Sequence, residues 1–314
     1  MENLTFNSPF IQIEGLVVSE QYIYPTFLFF LIIYVLITVS NIGIILLITM
    51  ERSLHEPMYI LFCNLPFNDV FGNSVVIPRI MVDILRPSSE RYISYGECAA
   101  QAFCYHVHAT AAHTILMAMA FDRYVAICNP LHYTTIMTTK MVAKLTASVW
   151  CIAVVFVGIL LGLTIRLNRC GTQIANPFCD NASLFKVSCE NPYITNVFGL
   201  ACTTILLVSS VGSIVLTYSK IAAVCFISKN KTLNNKFLKT CSTHLTVYLI
   251  MWLSSCIMIM LHRFSGYTDY RKGAALLFHI GPGILNPIIY ALQCTEIRHT
   301  MLKILHSKKV LSSY

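Results

Sequence analysis

The sequence predicts an all-α membrane protein, a seven-transmembrane helix bundle followed by a short amphipathic eighth helix. Three observations carry that prediction. The chain has 314 residues, of which 56% are hydrophobic and only 11% charged, too apolar for an ordinary soluble domain and too poor in charge for a disordered one. A helix needs about 20 apolar residues to cross a hydrocarbon core of roughly 30 Å, and seven runs qualify: residues 25–50, 58–83, 98–121, 141–163, 195–219, 238–262 and 273–292. Barrel strands would read as alternating segments of about ten residues, and these runs are longer and continuous. The chain therefore divides into an extracellular amino-terminal tail (1–24), a seven-helix domain (25–292) and a cytoplasmic tail (293–314).

The net charge of +8 raises nucleic acid as a partner, and its distribution argues against it. With the amino terminus outside, Lys and Arg divide nine outside and thirteen inside. The acids divide nine and four, with Asp69 alone in the membrane. The outside is neutral and the inside carries +9, which satisfies the positive-inside rule. A basic cytoplasmic face suits anionic lipid and an acidic protein partner rather than nucleic acid. Residues 1–24 are polar and acidic without a basic leader region, so the first helix is expected to serve as an uncleaved signal.

The tail opens with Asn3-Leu4-Thr5, an N-glycosylation acceptor pattern if this end is lumenal. In the first run Asn41 sits among apolar residues, and a buried amide needs partners. Asp69 in the second run and Asn286 in the seventh are the expected ones. Between the first two runs, residues 54–60 read LHEPMYI, and Pro57 suits the first turn of a helix. About eleven residues flank Asp69 on either side within its run, and an intramembrane acid is functional by default.

The third run holds Tyr105, His106, His108 and His113. No histidine pair there has the i, i+4 spacing of a metal site, and only His106 is expected at pocket depth. That run ends in MAMAFDRYVAICNPLHY, residues 117–133, where Asp122 is the local counter-charge for Arg123. An arginine on a lipid-facing helix centre costs about 2.5–3.5 kcal/mol, so this one belongs at the water boundary or inside a bundle.

Cys98, Cys170, Cys179 and Cys189 fall on the oxidising side, where four cysteines permit three pairings. A second acceptor pattern, Asn181-Ala182-Ser183, lies beside Cys179, where crowding is expected to hinder glycosylation. Asn230-Lys231-Thr232 falls inside and should stay unmodified. The fifth run ends in LTYSKI (216–221), and a lysine-rich loop leads to KFLKTCSTHLTVY (236–248). The seventh contains LNPIIY (285–290), in which Pro287 removes a backbone bond and loosens the helix. Residues 296–306 place Ile297, Met301, Leu302, Ile304 and Leu305 among Arg298, His299, Lys303 and His306, the pattern of an amphipathic helix on the inner leaflet.

Taken together, DRYVAICNPLHY, LHEPMYI, NPFCDNASLFKVSCENP, KFLKTCSTHLTVY and LNPIIY resemble, in order and separation, the odorant-receptor branch of the rhodopsin-like (class A) G protein-coupled receptors. The resemblance implies disulfides Cys98–Cys179 and Cys170–Cys189, and a water or sodium network at Asp69 with Asn41. Many odorant receptors carry a glutamate ten residues before the aspartate of the triplet; here that position is Ala112. It further implies switch and G protein-coupling roles for Asp122, Arg123, Tyr124, Tyr218, His244, Asn286, Pro287 and Tyr290. Family spacing turns His106, Ala109, Thr110, Cys202, Leu206, Trp252, Ser255, Ile259, Leu276 and His279 towards the outer bundle centre. Trp252 stands where most odorant receptors have tyrosine, and Tyr105 where amine receptors have their aspartate, which argues against a protonated-amine ligand.

That set is mostly apolar with a few neutral donors and acceptors, the usual balance of a small-molecule site. The implied function is a plasma-membrane receptor with its amino terminus outside. It would bind a small, largely uncharged odorant and raise cyclic AMP through a heterotrimeric G protein of the stimulatory olfactory type. A non-olfactory rhodopsin-like receptor is the near rival, and a multi-pass small-solute transporter the rival from another class. No HExxH motif, phosphate-binding glycine loop or nucleophile-base pair argues for an enzyme, and no metal or cofactor is expected.

Overall fold

All seven apolar runs form helices in the computed structural model, which describes residues 7–227, 231–263, 268–293 and 296–300. In chain order the elements are β1 (Phe10–Ile13), α1 (Ile23–Met50), α2 (Pro57–Phe62), α3 (Asn64–Ile84), β2 (Tyr92–Ser94), α4 (Tyr95–Cys128), α5 (Tyr133–Ile136), α6 (Thr139–Ile165), β3 (Gln173–Ile174), α7 (Asn181–Lys186), α8 (Tyr193–Ile227), α9 (Lys231–Arg263) and α10 (Thr268–Gln293). Among the described residues seven segments are long and apolar enough to cross a membrane, with α2 and α3 together forming the second. Asn3 and residues 301–306 of the expected eighth helix lie outside the described residues. Residues 296–300 are helical, with Ile297 buried and Arg298 and His299 exposed.

Local chemistry sets the helix starts. Pro57 occupies the first turn of α2. At α4 a capping box closes: Glu97 N–H donates to Ser94 Oγ at 3.2 Å, and Ser94 N–H donates to Glu97 Oε2 at 3.1 Å. This starts α4 three residues before the expected Cys98. Thr138 caps α6 by accepting from Met141 N–H at 3.3 Å.

The helices expose Leu28 and Ile32 of α1, Val155 and Ile159 of α6 and Val208 and Val215 of α8, the side chains that meet acyl chains in a bilayer. Of the apolar window in α4, 67% is buried against 11% for α8, which makes α4 the axis of the bundle. It packs on α3, α6, α8 and α9, while α10 closes the ring against α1, α3 and α9. The α3–α4 seam depends on Gly72, because a Cβ there would lie 2.4 Å from the His108 ring.

The tail holds an element that composition does not disclose. Strand β1 pairs antiparallel with β2 and parallel with β3, giving sheet order β2-β1-β3. Arg91, buried, donates through Nη1 to the carbonyls of Glu14 (2.7 Å) and Leu16 (3.0 Å). These flank Gly15, whose φ of 69° favours glycine. Lys272 of α10 pairs with Glu14 at 2.8 Å, so the tail spans the outer end of the bundle.

Candidate functional site

The second outer loop is built by two disulfides, Cys98–Cys179 and Cys170–Cys189, with Cα separations of 5.3 and 5.2 Å. The first anchors the loop to α4, where Cys179 N–H also donates to Gln101 Oε1 at 2.9 Å. Asp180 then caps α7 by accepting from Ser183 N–H at 2.8 Å. This short helix is laid across the bundle. Its first residue, Asn181, is buried and accepts a hydrogen bond from Thr164.

Beneath α7 lies a cavity of about 270 Å³ between α4, α8 and α9. On α4, His106, Ala109 and Thr110 face it together, as i, i+3, i+4 spacing requires. Leu206, Ser255 and Ile259 face them across it. Cys202 borders a second cavity of about 300 Å³, shared with His106, Thr110 and Leu206. Three residues of the sequence-derived set border neither. Leu276 packs into an apolar cluster with Phe30, Ile37 and Val76. His279 is buried, its ring stacked on Tyr105 at 5.6 Å and edge-on to His108 at 4.8 Å. Trp252 packs against the main core, and its indole N–H has no hydrogen-bond partner among the described residues.

The hydrogen bonds fix ring tautomers. Asn181 N–H donates to His106 Nε2 at 3.1 Å, so that nitrogen is bare. Ser255 gives its hydroxyl proton to the Met251 carbonyl at 2.9 Å, which leaves His113 Nε2–H to donate to Ser255 Oγ at 3.1 Å. Contrary to the expectation that only His106 reaches pocket depth, His113 also lines the cavity.

The outer end of the cavity carries charge, from Asp180 and Lys186, where the sequence-derived set has none. The Asp180 carboxylate is occupied by the α7 cap and by Asn176 at 3.2 Å. Lys186 is exposed, and partial desolvation, then the Arg271 guanidinium, hold its amine below the usual lysine range.

Below the cavity a polar layer links helices. Asn286 Nδ2 donates to Asp69 Oδ2 at 2.8 Å. Asn41 departs from expectation, since it bonds the Gly283 and Ile37 carbonyls, both at 2.9 Å, rather than Asp69 or Asn286. Gly283 lets the helices approach, as a Cβ there would stand 2.9 Å from Asn73. The buried Oδ1 atoms of Asn41, Asn68, Asp69 and Asn73 have no partner among the described residues. Oxygen acceptors of this kind suit water or a hard cation. No group of three or more His, Cys, Asp or Glu side chains is placed to hold a metal among the described residues.

At the end of α4 opposite the Cys98 disulfide, Asp122 is fully buried and both its oxygens are used. Arg123 Nε and Nη2 bond Oδ2, the former at 2.9 Å, and the Tyr133 hydroxyl of α5 donates to Oδ1 at 2.9 Å. Burial, then the Asp122 charge, raise the Tyr133 hydroxyl above the ordinary phenol range, which keeps it a donor. Tyr133 closes the DRYVAICNPLHY stretch, and the family resemblance gives it no role. Its hydroxyl eleven residues beyond Asp122 was the available signal.

Nearby, Tyr290 packs on Phe62 at 3.9 Å and on the His244 edge at 5.8 Å. Pro287 is buried within α10. Lys220 Nζ stands 5.6 Å from the centre of the Tyr124 ring. The Tyr218 hydroxyl is buried with no hydrogen-bond partner among the described residues, while its ring packs with Ile127, Ile221, Cys225 and Cys241.

Comparison with known proteins gives one consistent result. The family profile described as "Olfactory receptor" matches residues 30–308. Human olfactory receptor 52D1 is 33% identical over 287 residues, 89% of each chain. Human olfactory receptor 5B17 is 30% identical over 310 residues, 98% of each. Rat olfactory receptor 1496 is 29% identical over 311 residues, 99% of each.

Proposed function

The chain belongs to the olfactory receptor family of G protein-coupled receptors, which are not enzymes, and from that premise we propose how it works. A small, largely uncharged odorant binds in the outer cavity bordered by His106, Ala109, Thr110, Leu206, Ser255 and Ile259, with Cys202 on the adjoining wall. Binding releases the cytoplasmic lock and activates a heterotrimeric G protein of the stimulatory olfactory type, raising cyclic AMP. The receptor sits in the plasma membrane with its amino terminus outside.

The observation that carries this reading is the cavity wall. Apolar side chains and neutral hydrogen-bonding groups converge on a space of about 270 Å³; among the described residues charge borders it only at the outer end, where Asp180 is committed to Asn176 and the α7 cap and Lys186 is exposed. Such a wall rewards shape and one or two neutral polar contacts. At the other end, Asp122 holds Arg123 and Tyr133 in place. Release of that carboxylate frees the arginine, and the buried Tyr218 hydroxyl is the nearby group without a partner. Trp252, Leu276 and His279 act from behind the cavity wall, by packing on the helices that bear it.

Expression with the stimulatory olfactory G protein and a screen of neutral volatile compounds tests the proposal. A cyclic AMP rise that requires the G protein supports it. Silence across a broad neutral panel at verified surface expression, or accumulation of a labelled solute without any G protein, overturns it.

A further inference from the structure

The cavity of about 300 Å³ between α4, α6 and α8 shares five wall residues with the ligand cavity: His106, Thr110, Leu160, Thr203 and Leu206. Its far rim is outside the protein core. Ile152 and Phe156 of α6 are 43% and 41% exposed, and Ile205 of α8 is 60% exposed. Ile205 lies about 18 Å along α8 from its outer end, and Phe156 about 14 Å along α6 from its outer end, at 1.5 Å per residue. Within a hydrocarbon core of roughly 30 Å, the rim opens among acyl chains and away from the aqueous interface.

The wall chemistry agrees with that depth. Among the described residues no Asp, Glu, Lys or Arg borders this second cavity. Three of its hydroxyls are turned back onto their own helices: Thr114 to Ala111 at 3.0 Å, Thr203 to Gly199 at 2.8 Å and Ser209 to Leu206 at 3.1 Å. What remains towards the lumen is mostly carbon, with the Cys202 thiol beside it. The ligand cavity thus has a charged outer end, with Asp180 and Lys186, and an apolar flank that faces lipid.

We propose that the gap between α6 and α8, rimmed by Ile152, Phe156 and Ile205, is a lateral portal. Through it an apolar small molecule dissolved in the outer leaflet reaches the ligand cavity, passing Cys202 on the way. The inference rests on the reading of the outer cavity as the ligand site and adds the route and the ligand's source. Apolar solutes concentrate in the bilayer because transfer out of water is favourable, so this opening meets them at far higher concentration than the aqueous end does.

Cys202 allows a test without a known odorant. The full chain, in phosphatidylcholine nanodiscs, is treated with neutral N-phenylmaleimide or with a maleimide bearing a quaternary ammonium. Modification of Cys202 is followed by peptide mass spectrometry, and rates are normalised to a free thiol in buffer. The portal requires the neutral probe to react at least about tenfold faster than the charged one. Ile205→Trp should slow the neutral probe about tenfold, whereas Ala182→Trp, at the outer end, should leave it within about twofold. Phe156→Ala should accelerate it, and this arm stands alone if the tryptophan variant does not fold.

Equal rates for the two probes, an unchanged rate in Phe156→Ala, or slowing by Ala182→Trp without slowing by Ile205→Trp overturns the portal. These rates do not depend on agonism. Failure here is therefore distinct from failure of the ligand reading, which shows as unchanged agonist potency in Ala109→Phe.

Discussion

The outer and inner ends of the same helix, α4, are built by opposite rules. At the outer end His106, Ala109 and Thr110 border open space, and the Asn181 N–H that His106 accepts is a neutral donor. At the inner end Asp122 and Arg123 form a buried ion pair completed by Tyr133, with every oxygen of the carboxylate engaged. A buried charge stripped of its partner is expensive, whereas an apolar wall tolerates exchange of one side chain for another. The inner end therefore has little freedom of composition. The outer end can vary its ligand without disturbing the lock.

The largest expected effect comes from cutting what holds the outer end together. Cys98→Ser frees the second outer loop from α4, and loss of a native disulfide typically costs about 2–5 kcal/mol. Surface expression should fall sharply, and non-reducing peptide mapping of the wild type should recover Cys98 joined to Cys179. Arg123→Ala should separate the two ends, abolishing agonist-driven cyclic AMP at matched surface expression while an agonist still binds. Normal signalling by that variant would remove the distinction drawn here.

Gly72→Ala tests the seam between the ends. Its new Cβ would stand 2.4 Å from the His108 ring, which is held by the Asn68 carbonyl at 2.9 Å, and overpacking of this kind costs about 1–3 kcal/mol. Gly212→Ala, where a Cβ meets nothing within 4 Å, should be neutral or slightly stabilising, since alanine is the better helix former by about 1 kcal/mol. Thermal unfolding in detergent should rank the two variants in that order. Tyr133→Phe tests the inner end alone. It removes one hydrogen bond to a charged group, worth about 1.5–3 kcal/mol, and should raise agonist-independent cyclic AMP several-fold, with agonist affinity raised in step because lock release and binding are linked.

The same contrast explains what the sequence discloses. The inner end is written in residue types that have few other uses in a membrane: Asp122 beside Arg123, Asn286 before Pro287, Asp69 deep in an apolar run. The helix spans follow from apolar length, and even the start of α4 is legible afterwards in Ser94 and Glu97. The outer end is assembled from pieces far apart in sequence. Strand β1 reads as polar tail because its partners lie about 80 and 160 residues away, and Asp180 and Lys186 reach the cavity only because the disulfides and the α7 cap place them there. His279 is separated from the LNPIIY motif by a second proline, Pro282, within α10. Each proline removes a backbone bond and lets the helix bend, so even spacing does not carry a side chain's direction across both.

In the proposed mechanism ligand chemistry lies in the outer cavity and the lock only reports it. The most direct measurement is an agonist concentration–response curve for Ala109→Phe, compared with wild type at matched surface expression. Phenylalanine at this position fills space in a cavity of about 270 Å³ far from Asp122. The account predicts potency lowered by at least about tenfold, equivalent to roughly 1.4 kcal/mol of binding, with basal cyclic AMP unchanged. Unchanged potency, or a shift in basal activity alone, would contradict it.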